Sequence, residues 1–119
     1  MLVELKDIRQ NDGEPFRRIF NGFKMYLILW NETEKLVAFQ INYTEESETL
    51  SLTWDSEKGF SHKVIEEGEN RPFRHKMSQM LLTERPLVKQ KLIETFSKES
   101  ENLELSEKHL VLHQLKNYK

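Results

Sequence analysis

Val37-Ala38-Phe39-Gln40-Ile41-Asn42-Tyr43, the polar break Thr44-Glu45-Glu46-Ser47-Glu48, and Thr49-Leu50-Ser51-Leu52-Thr53-Trp54 decide the fold. Apolar and polar residues alternate with period two, as in a β-strand whose successive side chains point to opposite faces. Val37, Phe39, Ile41 and Tyr43 share one face, and Leu50, Leu52 and Trp54 continue it. Gln40, Asn42, Thr49, Ser51 and Thr53 take the other. A connection of about five residues predicts antiparallel neighbours, because a parallel crossover needs a dozen or more.

Upstream, Phe23, Met25, Leu27 and Leu29 oppose Lys24, Tyr26, Ile28 and Trp30. Both faces of this segment are largely apolar, which predicts a central strand covered on two sides. Asn31-Glu32-Thr33-Glu34-Lys35 makes the polar turn that follows. Met1 to Arg9 alternates loosely and is read as a strand. Asn11-Asp12-Gly13-Glu14-Pro15 is turn chemistry, followed by a helical turn or bend around Phe16 to Phe20. Downstream, Asp55-Ser56-Glu57-Lys58-Gly59 turns the chain into Phe60, His62 and Val64. A last strand is expected from Arg74 to Leu82.

The period then changes to 3.6. Leu87, Val88, Leu92, Ile93 and Phe96 align on a helix from about 84 to 98, with Thr83 as N-cap and Pro86 in the first turn. Ser100 to Glu104 is a break. Ser106 would cap a second helix over about 106–118, with Leu105 and Leu110 as a hydrophobic staple. Its buried stripe would be Leu110, Val111, Leu112, Leu115 and Tyr118. The expected fold is α+β: a five- to six-stranded antiparallel meander sheet over about 1–82, with two C-terminal helices packed on one face. Residues 1–119 form a single domain.

A 119-residue chain should bury roughly 65% of its unfolded surface, enough for one self-sufficient core. With no cysteine, disulfides, thiolate ligands and cysteine nucleophiles are excluded. That composition fits a reducing cytoplasm. The 18 basic and 20 acidic residues give a net charge of −2, whereas nucleic-acid binders carry a basic excess that neutralises phosphates. The longest apolar run, Met25 to Trp30, is far short of a membrane span, and no apolar signal core stands near the N-terminus. The chain therefore reads as cytoplasmic, with neither nucleic acid nor membrane as partner.

Gly59-Phe60-Ser61-His62-Lys63-Val64-Ile65-Glu66-Glu67-Gly68-Glu69 gathers the most reactive groups. His62 with Glu67 or Glu69 is the candidate acid/base set of a small hydrolase or lyase, metal-assisted or not. On a strand, however, His62 and Glu66 lie roughly 13 Å apart, and His62 has the inward parity of Phe60 and Val64. A lone inward histidine is most often a hydrogen-bonded structural one. His75, farther along, belongs to the same constellation.

His109 and His113 have the ligand spacing of a zincin helix, but Leu110 stands where the general base belongs, so no metal site is assigned. Arg17-Arg18 and Arg71, Arg74, His75 and Lys76 around Phe73 are basic groups; the second follows the acids of 66–69, which favours local charge pairing. There is no Walker loop, nucleophile elbow or dinucleotide fingerprint, and no cofactor is expected.

The polar sheet face is the remaining candidate. Gln40, Asn42, Ser51 and Thr53 would form a hydrogen-bonding floor, and Tyr26 and Trp30 on the same face would add an unusual aromatic pair. Threonine and serine facing one another across strands also suit a plain solvated face.

Arg17-Arg18-x-Phe20, Leu27-x-x-Trp30, Phe39-Gln40-x-x-Tyr43, Leu52-Thr53-Trp54, Gly59-Phe60-x-His62-x-Val64-x-x-x-Gly68-Glu69 and Lys76-Met77 follow one another in order. This series resembles a family of small uncharacterised bacterial proteins whose pattern reads RRxF, LxVW, GFQLCYD, LTW, GFxHxxVDxGE and KMTPILV. It spans about residues 17 to 82. Asn42 stands at the pattern's cysteine, Thr44 at its aspartate and Ser78-Gln79 at its Thr-Pro. The resemblance implies a bacterial cytosolic domain and adds weight to His62, Gly68 and Glu69, but it brings no activity. The leading expectation is a non-catalytic binding or interaction module for a small ligand or protein, using the polar sheet face or the 66–76 loop. The His62 enzyme and a dimerising structural protein are the alternatives.

Overall fold

Alternation in the first two thirds of the chain builds one antiparallel sheet in which spatial order equals chain order. The computed structural model describes residues 1–10, 12–45, 47–66 and 80–118. Among them the strands are β1 (Val3–Glu4), β2 (Phe16–Asn21), β3 (Met25–Glu32), β4 (Lys35–Glu45), β5 (Glu48–Asp55), β6 (Gly59–Glu66) and β7 (Met80–Glu84). Helices α1 (Lys89–Glu99) and α2 (Leu105–Lys116) follow. The architecture is the expected α+β meander with two C-terminal helices. Phe16–Asn21 is a strand rather than a helical bend, and the N-terminal strand shrinks to two residues.

The turns follow from the residues in them. Glu32 pairs with Lys35, leaving Thr33 and Glu34 as a two-residue loop with φ of 54° and 63°. Two positive φ values in succession give the primed turn whose twist suits a hairpin. Between β5 and β6, the Asp55 Oδ1 atom accepts the Glu57 and Lys58 amides at 2.8 and 3.1 Å. Gly59 closes that loop at φ 84°, a conformation that favours glycine.

Register fixes the core. Leu27 faces Ile41 and Ile41 faces Leu52; on the neighbouring row Leu29, Phe39 and Trp54 align. These residues pack against Leu92 and Phe96 of α1 and Val111 and Leu115 of α2. Burying each large side chain contributes about 1.5–3 kcal/mol, so this face supplies most of the fold's stabilisation. The antiparallel helix pair is tied at its open end by Lys89 Nζ, which donates to the Lys116 and Tyr118 carbonyls at 2.9 and 2.8 Å. A cation there also suits the negative end of the α2 dipole.

Several local expectations change. Thr83 lies in β7, because the ladder continues to Lys63–Glu84 and the Arg85 amide still bonds the His62 carbonyl at 2.9 Å. Pro86 disfavours helix in the residue before it, and α1 starts only at Lys89. Ser106 lies inside α2, whose N-cap is Glu104. Leu105, Leu110 and Val88 are exposed, so neither the staple nor those two stripe positions is buried. Phe23, at 82% exposure, lies outside the strand it was assigned to.

Candidate functional site

Strand parity delivers one group of candidates intact. Tyr26 pairs with Asn42 and Asn42 with Ser51; Ile28 pairs with Gln40 and Gln40 with Thr53. Trp30 pairs with Ala38 on the next row. All lie on the sheet face turned away from the core cluster that holds the helices. No described helix packs on this side, although Ile19, Ser51 and Ile65 on it are buried. Tyr26, Ile28, Trp30, Gln40, Asn42 and Thr53 are half-buried, and Ser51 is 2% exposed.

The polar groups there are already ordered. Gln40 Nε2 donates to Asn42 Oδ1 at 2.9 Å and to Ser51 Oγ at 3.2 Å. These two bonds engage both amide hydrogens of Gln40, leaving its carbonyl oxygen and the Asn42 amide to face outward partners. The Tyr26 hydroxyl is pushed above the usual phenol range by burial, against the pull of the Arg17 charge. Arg17 itself stands opposite Trp30 on β2, and Lys63 stands opposite Ser51 on β6.

His62 takes the other face. It is 4% exposed, with Nε2 2.6 Å from the Tyr43 hydroxyl and Nδ1 2.6 Å from the Arg85 carbonyl. A carbonyl only accepts, so Nδ1 carries the proton, Nε2 accepts, and the Tyr43 hydroxyl donates. Burial lowers the imidazole's proton affinity, partly offset by the Arg85 carbonyl. Tyr43 is held well above the usual phenol range, first by burial and then by the Glu45 carboxylate. Arg85 is anchored by a two-pronged ion pair to Glu48 at 2.7 and 3.0 Å. The arrangement is a closed clasp joining β4, β6 and the segment after β7. Both imidazole nitrogens are engaged inside the protein. Glu67, Glu69 and the 66–76 loop, including Arg71, Phe73, Arg74, His75 and Lys76, lie outside the described residues apart from the backbone of Glu66.

His109 and His113 lie on the exposed face of α2, where Asn117 Nδ2 donates to His113 Nε2 at 3.2 Å. Among the described residues no group of three or more histidine, aspartate or glutamate side chains is placed to hold a metal ion. None of the described helices is long and apolar enough to cross a membrane.

Two features were not anticipated from sequence. Arg18, on the helix-facing side, is clamped between acids: its Nε and Nη2 meet Glu4 at 2.8 Å each, and Nη1 meets Glu107 of α2. Its guanidinium also lies 5.1 Å from the Phe20 ring centroid. Arg18 lowers Glu4 through hydrogen bonding, whereas burial raises Glu107 despite the same cation. Beside this clamp, Glu4, Asp7, Ile8, Gln10, Phe16 and Arg17 border an open depression of about 510 Å³. The Tyr43–His62 pair, by contrast, left a local signal. Each is a polar group at an inward strand position, and such groups need a partner.

Compared with protein-family models, curated proteins and solved structures, the chain matches none.

Proposed function

We propose that the protein is a non-catalytic binding module that engages its partner through the sheet face opposite the helices. One observation carries this reading. Over three adjacent strands, β3, β4 and β5, the central positions Tyr26, Ile28, Trp30, Ala38, Gln40, Asn42, Ser51 and Thr53 carry no charge and Asp55 stands only at their margin, in a chain that is 32% charged. A face selected only for solubility would carry cross-strand lysine–glutamate pairs. This one carries two large aromatics, an isoleucine and a hydrogen-bonded amide pair, the composition of a contact surface.

A hydrolase centred on His62 is less well supported, because a general base needs a free nitrogen within reach of a substrate proton. Both His62 nitrogens face Tyr43 and Arg85 in a buried setting. A cytoplasmic setting belongs to the same proposal, and fractionation of the source cells tests it.

Fragment screening by NMR tests the binding surface. Shift changes clustered on Trp30, Gln40 and Thr53 are expected. A screen in which responses cluster around His62 and leave that face silent would overturn the proposal. Sedimentation at micromolar concentration separates a monomer with a free face from a dimer that uses the face as its interface.

A further inference from the structure

We propose that the uncharged face binds a neutral oligosaccharide laid across β3, β4 and β5; this rests on the reading of that face as the binding surface. Three features select this ligand class. The first is charge. Arg17 and Lys63 frame the face from β2 and β6, strands four apart and thus roughly 19 Å from each other. Between them Tyr26, Ile28, Trp30, Gln40, Asn42, Ser51 and Thr53 are neutral, and the acid Asp55, opposite Ala38, stands at the margin with its carboxylate bonded to the Glu57 and Lys58 amides. A nucleic acid or sulfated glycan gains most of its affinity from closely spaced cations, which this surface does not provide.

The second feature is the aromatic pair. Tyr26 and Trp30 lie four residues apart on one strand with Ile28 between them on the same face, a span of roughly 13 Å. A pyranose presents a C–H face that packs on an aromatic ring, and the span exceeds one sugar ring, so the ligand is a chain of at least two. An extended peptide gains its affinity by pairing its backbone with a strand edge; lying across Ile28 and Trp30 it would leave backbone groups unpaired.

The third feature is the polar row beside the aromatics. Gln40 donates to Asn42 and Ser51, so the Gln40 carbonyl is left as an acceptor and the Asn42 amide as a donor. A sugar hydroxyl both donates and accepts, and neighbouring hydroxyls can pair with such a fixed donor–acceptor couple without any charge. Because the amides are held by each other and by Ser51, little ordering is required on binding.

The test is a titration of the ¹⁵N-labelled protein with cellopentaose, maltopentaose, laminaripentaose, chitopentaose and mannopentaose. A single-stranded oligothymidine, heparin fragments and a neutral serine–threonine–asparagine hexapeptide serve as comparators. Saturable shifts of the Trp30 indole and the Gln40 and Asn42 side-chain amides with at least one neutral sugar are expected. Trp30→Ala and Gln40→Ala should each weaken that binding at least tenfold, while dispersed spectra show that both variants remain folded. If a comparator titrates the face and no sugar does, the carbohydrate assignment fails and the binding surface survives. If nothing perturbs the face, both fail.

Discussion

The two faces of this sheet are made from alternate residues of the same strands, yet they follow opposite rules. Phe39, Ile41 and Leu52 are fully buried under α1 and α2. Gln40 and Thr53, one residue away along the same strands, are half-buried with no described helix over them. The distribution of charge is also inverted. The covered side holds Arg18 between Glu4 and Glu107, and the centre of the open side holds no charge. Charge is tolerated under the helices because it is paired and hydrogen-bonded there. Its absence from the centre of the open side, with Arg17, Lys63 and Asp55 kept to the margins, therefore points to what that surface touches, since solubility alone would favour charge.

The largest effects should come from the covered side. Phe39→Ala should cost about 3–5 kcal/mol, through lost transfer energy and the cavity left beneath the helices; urea denaturation measures it. A loss under 1 kcal/mol would mean that the helices do not pack on that face. Next comes Arg18→Met, expected to cost about 1–2 kcal/mol at neutral pH because the partly buried Glu107 carboxylate loses its cation. Burial already raises Glu107, so its neutral form is the tolerated one. The cost of the substitution should shrink as pH falls toward the carboxylate range.

Tyr43→Phe should cost about 1–2 kcal/mol by leaving buried His62 Nε2 without a donor. The same clasp gives a pH signature. His62 is depressed below its ordinary value of 6.5 in the folded state, so the unfolded chain takes up a proton near 6.5 before the folded one does. Stability should fall as pH drops below about 6.5 and level off below the folded value. His62→Asn should flatten that part of the urea-midpoint profile. The smallest effect is expected on the open side, where Thr53→Ala should stay within about 0.5 kcal/mol. A larger loss would mean that Thr53 is structural and the contrast between the faces is wrong.

Much of this was legible because period two is a local signal. Parity put Gln40, Asn42, Ser51 and Thr53 on one face and His62 on the other; whether Tyr26 and Trp30 join the polar face depends on pairing between strands, and the register places them there. What escaped depends on distance along the chain. Phe16–Asn21 carries Arg17-Arg18 at its centre and does not look like a half-buried strand. Arg18 fits there because Glu107, 89 residues away, supplies its counter-charge. The partner of His62 comes from Tyr43, two strands over, reaching across β5. Thr83 and Ser106 have the chemistry of caps, but ladder pairing and Pro86 set the helix starts elsewhere.

The natural absence of cysteine allows the contrast between faces to be measured residue by residue. Single variants Gln40→Cys, Ile41→Cys, Leu52→Cys and Thr53→Cys would be alkylated with iodoacetamide under native conditions. Cysteines at 40 and 53 should react at rates approaching those of a free thiol, and cysteines at 41 and 52 only as fast as the molecule opens. Equal protection at all four positions, or faster reaction at 41 and 52, would contradict a sheet roofed on one side and open for contact on the other.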